Sequence, residues 1–145
     1  MHLPTPADLD PGDTTDEKTS CLGAPSATPF SPNQTCAQGL QHTPQEWGNF
    51  VRNSYPGYTG RRPRMQISHG LADNLVRPQC AVEALKQWSN ILGVELTKNV
   101  TGVPSAQFTE QVYGDGTKLL GFFGQGIGHA PTVNEEQMLK FFGLI

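Results

Sequence analysis

Two residues in this chain have the type and setting for acid–base chemistry. One is Asp73, at the end of Pro63-Arg-Met-Gln-Ile-Ser-His-Gly-Leu-Ala-Asp73; the other is His129, within Gly124-Gln-Gly-Ile-Gly-His129-Ala-Pro131. A carboxylate that accepts a hydrogen bond from a histidine Nδ1–H fixes the tautomer of the ring. It also stabilises the imidazolium formed when Nε2 takes a proton from a hydroxyl nucleophile. The nucleophile that would complete such a set commonly sits in Gly-x-Ser-x-Gly, and that pentapeptide does not occur in the sequence. Each residue also has a plainer reading. Asp73 would serve as a turn cap at the end of a strand, and His129 as an exposed loop histidine.

Other constellations are weaker. His69 is a rival base, but its place beside Gly70 suits a packed or hydrogen-bonded ring. Zinc could in principle be held by His69, Asp73 and His129, yet no His-x-x-x-His or Cys-x-x-Cys spacing supports it. Cys80 could pair with His129 as a nucleophile, but it precedes a helix interior and lacks a local activating pattern. The sequence therefore implies no metal and no cofactor.

The elements that must position Asp73 and His129 can be read in order. Thr43-Pro-Gln-Glu46 is a capping box with proline at the first helical position. It opens a helix with Trp47, Phe50 and Val51 on one face and Tyr55 a turn beyond, ending before Pro56-Gly57. The loop Thr59-Gly-Arg-Arg-Pro63 leads into a short buried strand carrying Met65 and Ile67, with Gly70 providing freedom for the turn before Asp73. A second helix is expected from Pro78 to a stop at Gly93, with Val82, Leu85, Trp88 and Leu92 inward and Glu83, Lys86 and Gln87 elsewhere on the wheel. Lys98 to Ser105 reads as an exposed loop. Phe108–Tyr113 and Lys118–Phe123 flank Gly114-Asp-Gly-Thr117 as a hairpin. After the His129 loop, Asn134 caps a last helix whose stripe is Met138, Phe141 and Phe142. No internal repeat is present.

The 145 residues allow one domain with a real core. Net charge is −3 and the basic residues are scattered, apart from Arg61, Arg62 and Arg64. That argues against a nucleic-acid partner. No apolar run approaches the ~20 residues of a membrane span, so no membrane partner is expected. Residues 1–19 are acidic, rich in Asp, Thr and Pro, and unlike a signal peptide; they are expected to form a disordered or unrelated leader. Cys21 and Cys36 lie in a Pro/Ser/Thr-rich stretch suited to a small disulfide-closed loop, and Cys80 is left over. Asn33-Gln-Thr and Asn99-Val-Thr are glycosylation sequons.

These motifs together resemble the fungal carbohydrate esterases of family one, the acetylxylan and feruloyl esterases. The likeness rests on Thr35-Cys-Ala-Gln-Gly39, Thr43-Pro-Gln-Glu-Trp47, Tyr55-Pro-Gly-Tyr-Thr-Gly60, Arg64-Met-Gln-Ile67, His69-Gly-Leu-Ala-Asp73, Lys86-Gln-Trp88, Tyr113-Gly-Asp-Gly-Thr117 and Phe141-Phe-Gly-Leu144. It covers residues 20–145 and implies the C-terminal half of an α/β-hydrolase sheet, an α/β fold of strands with flanking helices. It also implies Asp73 as triad acid, His129 as triad base, an extracellular setting, and esterified xylan or small aryl and acetyl esters as substrates of the complete enzyme. The family's serine and oxyanion-hole amides belong to an N-terminal half that nothing here matches, so little esterase activity is expected from this polypeptide alone. A catalytically silent carbohydrate- or partner-binding fragment is the alternative. Ser68 and Arg77 stand where aromatic residues are usual, and Cys80 where asparagine is. Acetyl and feruloyl specificity are not separable from the sequence.

Overall fold

The computed structural model describes residues 39–131 and 134–145. The expected leader, the Cys21–Cys36 loop and the Asn33 sequon lie outside them. The elements run α1 (Pro44–Ser54), β1 (Met65–Gly70), α2 (Gln79–Leu92), β2 (Leu96–Thr101), β3 (Phe108–Tyr113), β4 (Leu119–Gly124) and α3 (Glu135–Phe142).

Helix α1 begins as its sequence dictates. Thr43 Oγ1 accepts from Glu46 N at 3.2 Å, while the Glu46 carboxylate accepts from Thr43 N at 2.8 Å. The reciprocal pair satisfies two otherwise orphaned donors. Trp47 is fully buried and Phe50 half-buried, but Tyr55, at the C-cap, is 68% exposed and not part of the inward face. Helix α2 ends where expected, at Gly93 in the left-handed conformation (φ 64°), whose N–H bonds back to Ser89 O.

The inward face of α2 differs from the apolar wheel. Ala81, Glu83, Leu85 and Gln87 are the buried positions, and Val82 is exposed. The reason is that α2 is sandwiched between the sheet and α1. Leu85 and Ala81 meet the sheet, whereas Glu83 and Gln87 bond to α1 and the segment leading into it. Glu83 accepts from Trp47 Nε1 (2.7 Å), His42 N (3.1 Å), Gln79 Nε2 (2.7 Å) and Lys86 Nζ (2.7 Å), and Gln87 Nε2 donates to Trp47 O (3.2 Å). A buried carboxylate is tolerable when its lone pairs are filled in this way.

The strands form one mixed sheet in the order β1-β4-β3-β2, with β1 parallel to β4 and the other pairs antiparallel. The β3–β4 hairpin expected around Gly114-Asp-Gly-Thr117 is present, pairing Tyr113 with Leu119. Lys98 to Ser105, expected as an exposed loop, instead contributes most of β2. Its side chains are almost all exposed, so no apolar alternation marks it; it is an edge strand held by backbone pairing to β3. Asn99 is exposed there, in register with Gln111.

Strand alternation then divides the core between two faces. Leu119 and Phe123, with Tyr113 and half-buried Met65 and Ile67, pack under α2. Leu120 and Phe122, with Phe108 and Val112, pack under Phe141 of α3. Strand β4 is buried along its whole length because it is covered on both faces. In α3, Phe141 is buried but Phe142 is 41% exposed, so the expected stripe is narrower by one residue. The result is an α/β sheet with helices on both sides, and the C-terminal ends of parallel neighbours β1 and β4 side by side.

Candidate active site

Those two adjacent strand ends release the loops that carry Asp73 and His129. The loops are stitched together by backbone hydrogen bonds: Leu71 N donates to Gly124 O at 2.8 Å, and Ala72 N to Ile127 O at 2.8 Å. Gly70 makes this approach possible, though not for the reason its sequence suggests. Its φ does not lie in the left-handed region. Instead, a Cβ at this position would collide with the carbonyl oxygens of Ile127 and Gly128. Glycine is needed for space, not for turning.

Asp73 is 4% exposed and fully engaged. Its Oδ1 accepts from Leu75 N (2.8 Å) and Val76 N (3.0 Å), the turn-capping geometry of an aspartate. Its Oδ2 lies 2.9 Å from His129 Nδ1 and 3.4 Å from His69 Nε2. The two sequence readings of this residue, turn cap and histidine partner, therefore both describe it, one through each oxygen. Burial pushes the carboxyl pKa up, but the Val76 N–H, the His129 ring and the Leu75 N–H outweigh it and hold the group below its ordinary value. An ionised carboxylate only accepts, so the His129 proton sits on Nδ1 and Nε2 carries the lone pair. The His129 side chain is 55% exposed, and among the described residues no hydrogen bond engages Nε2.

His69 is placed differently. Its Nε2 is 2.9 Å from the Val76 carbonyl oxygen, which only accepts, so this nitrogen carries the proton. That ring braces the Asp73 turn and has no lone pair directed at Asp73. Among the described residues no three His, Cys, Asp or Glu side chains group as a metal site requires. Cys80 is half-buried, and burial, with smaller contributions from the charges of Asp73 and Glu83, pushes its thiol up despite a bond from the Gly39 backbone. That is opposite to the depressed pKa of a nucleophilic cysteine.

The sequence anticipates a turn cap at Asp73 and a hydrogen-bonded ring at His69, but not their particular partners, Leu75 N, Val76 N and Val76 O. The Asx pattern of an aspartate followed by two loop residues was the only available sign of the donors. Ser68 lines a small cleft of about 150 Å³ on the α3 face, with Gln66, Phe122 and Phe142; it faces away from the α2 side of the sheet.

Comparison with known proteins bears on what this arrangement belongs to. The chain is 76% identical over 123 residues to feruloyl esterase B of Neurospora crassa, covering 85% of this chain and 42% of the relative. It is 38% identical over 115 residues to a probable acetylxylan esterase A of Neosartorya fischeri, covering 77% and 31%. The chain belongs with the fungal feruloyl and acetylxylan esterases. A solved acetyl xylan esterase from Aspergillus awamori superposes with a TM-score of 0.77 at 32% identity, over 87% of this chain and 47% of that one. The sheet is thus part of an α/β-hydrolase sheet. No family model matches the chain. The chain spans less than half the length of these esterases.

Proposed function

We propose that this chain supplies the acid–base half of an extracellular serine carboxylic ester hydrolase acting on acetyl or feruloyl esters of xylan. The observation that carries this reading is the 2.9 Å contact between a buried, ionised Asp73 and Nδ1 of an exposed His129, in a chain so similar to feruloyl esterase B. His129 is the general base and acid, and Asp73 orients it. In the proposed cycle a serine oxygen attacks the ester carbonyl, and its proton passes to His129 Nε2. The tetrahedral adduct collapses, the carbonyl–oxygen bond to the sugar breaks, and the departing alkoxide takes that proton. Water, deprotonated by the same nitrogen, then releases the acid and regenerates the serine.

The sequence holds no Gly-x-Ser-x-Gly, so the serine and the oxyanion hole are assigned to polypeptide outside these 145 residues. The same observation favours a second reading, a silent binding fragment. One experiment separates them. The chain alone, assayed on methyl ferulate and p-nitrophenyl acetate, is expected to match buffer. Exchanged for the matching segment of the Neurospora feruloyl esterase, it is expected to support turnover that His129→Ala removes. An inactive but folded chimera supports the silent reading. Turnover by the chain alone that is lost in His129→Ala would overturn the missing-nucleophile assignment.

A further inference from the structure

The one basic cluster in the sequence has no part in the chemistry described so far. Arg61, Arg62, Arg64 and Lys118, over the apolar floor of Ile91 and Leu92, surround a cleft of about 300 Å³. It lies where β1 and β4 begin, one full strand length (roughly 20 Å for six residues) from the strand ends that carry Asp73 and His129. Arg64 is committed to the fold, donating to Phe141 O at 2.8 Å. The other three cations are not neutralised: among the described residues no ion pair reaches Arg61, Arg62 or Lys118. The nearest carboxylate in sequence, Asp115, feels the Lys118 charge but is bound by Thr117 N and Oγ1. Three cations around one cleft, in a chain of net charge −3, set up a local positive potential that favours an anion there.

An aromatic surface adjoins the cluster. The Arg62 guanidinium lies 4.3 Å from the Tyr58 ring centroid, and Tyr58 stands 5.9 Å from Tyr55. Both tyrosines are exposed, 40% and 68% respectively, and Tyr58 Oη donates to Arg61 O at 3.0 Å, which ties the ring to the arginine loop. Exposed rings are surfaces on which sugar C–H faces stack, and a guanidinium fork matches a carboxylate in a bidentate manner. We infer that Tyr55, Tyr58, Arg61, Arg62 and Lys118 form a polysaccharide-binding surface selective for chains bearing uronic acid carboxylates. The choice of a xylan ligand rests on the esterase reading; the charge selectivity rests on the cleft itself. Such a surface would hold a glucuronic-acid-substituted xylan at the far end of the sheet from the ester site.

The test is calorimetric binding of the chain to xylo-oligosaccharides with and without one glucuronic acid branch. The acidic oligosaccharide is expected to bind at least tenfold more tightly, with the difference shrinking as salt is raised. Arg61→Ala with Arg62→Ala should erase the preference, Tyr55→Ala with Tyr58→Ala should weaken both ligands, and Lys118→Ala provides an independent variant outside the arginine loop. Circular dichroism and the His129 Nδ1–H resonance report whether each variant stays folded. Equal binding of acidic and neutral oligosaccharides, or a preference retained in folded Arg61→Ala/Arg62→Ala and in Lys118→Ala, overturns the inference. So does equally tight binding of duplex DNA, which would make the patch a general polyanion surface. An inactive chimera with charge-selective binding intact counts against the esterase reading alone; an active chimera without that selectivity counts against this inference alone.

Discussion

Asp73 Oδ2 and His129 Nδ1 meet at 2.9 Å although 56 positions separate them in the chain. The contact follows from topology: β1 and β4 are parallel neighbours, with Gly70 opposite Gly124, so the loops that follow them start side by side. A carboxylate with its other oxygen already bound by two backbone N–H groups has one orientation left to offer.

That orientation fixes the tautomer of His129, and the Val76 carbonyl fixes that of His69 in the opposite sense. Imidazole nitrogen chemical shifts measured by NMR at pH 8 are expected to show His129 protonated on Nδ1 and His69 on Nε2. In Asp73→Ala, His129 should revert toward the Nε2–H form that dominates in free histidine. An unchanged His129 tautomer in that variant would show that the carboxylate does not set it.

Gly70 permits the two loops to touch, so filling its position should separate them. Gly70→Ala is expected to cost about 1–3 kcal/mol in urea unfolding, the usual range for overpacking, and to weaken the His129 Nδ1–H signal. Gly128→Ala is the control. Gly128 is not in the left-handed region and has open space where a Cβ would go, so it should stay within about 0.5 kcal/mol of the parent. Equal effects would mean that backbone freedom, and not the carbonyls of Ile127 and Gly128, demands glycine at position 70.

What was legible in the sequence were features set by neighbours in the chain. The Thr43-Pro-Gln-Glu46 cap, the Gly93 stop, the β3–β4 hairpin and the Asn134 cap all depend on residues within one turn of one another. What was not legible depended on distant partners. Lys98 and Asn99 belong to a strand because β3 lies alongside them, and an exposed edge strand carries no apolar alternation to announce it. Glu83 lies off the apolar face of its helix, and it is buried because α1 brings Trp47 Nε1 to it. Asp73 and His129 were each visible as candidates, but their contact is a property of the β1–β4 pairing, which no local pattern encodes.

Glu83 provides a stability prediction with a pH sign. Burial raises its carboxyl, but Lys86, Trp47, the His42 N–H and Gln79 together hold it below its ordinary value of 4.5, and Asp73 is likewise held below 3.8. Both groups therefore bind protons more tightly in the unfolded chain. Their contribution is complete above the unfolded values and is lost as pH falls through the lower folded ones. Stability should be flat from pH 8 to about 5.5 and fall below that. Glu83→Gln should cost about 1–3 kcal/mol at pH 7, the range for weakening hydrogen bonds to a charged group, and flatten the acid limb. A Glu83→Gln curve parallel to the parent down to pH 3 would show that the carboxylate charge is not what holds α1 to α2.

Asn134 fixes where the chain re-enters regular structure beyond His129. Its Oδ1 accepts from Gln137 N at 2.9 Å, and Glu135 and Glu136 already place negative charge in the first turn of α3. Asn134→Ala should cost about 1 kcal/mol, while Asn134→Asp, which keeps an acceptor at the N-cap, should be nearly neutral. The consequence for the site can be separated from the consequence for stability. Phe141 anchors α3 to Leu120 and Phe122 through the core, so loss of the cap should fray the first turn without undocking the helix. Hydrogen exchange at Gln137 N is therefore expected to speed up in Asn134→Ala while Phe122 N stays protected. Faster exchange at both amides would mean that the cap holds the whole helix on the sheet, and that the exit of the His129 loop depends on it.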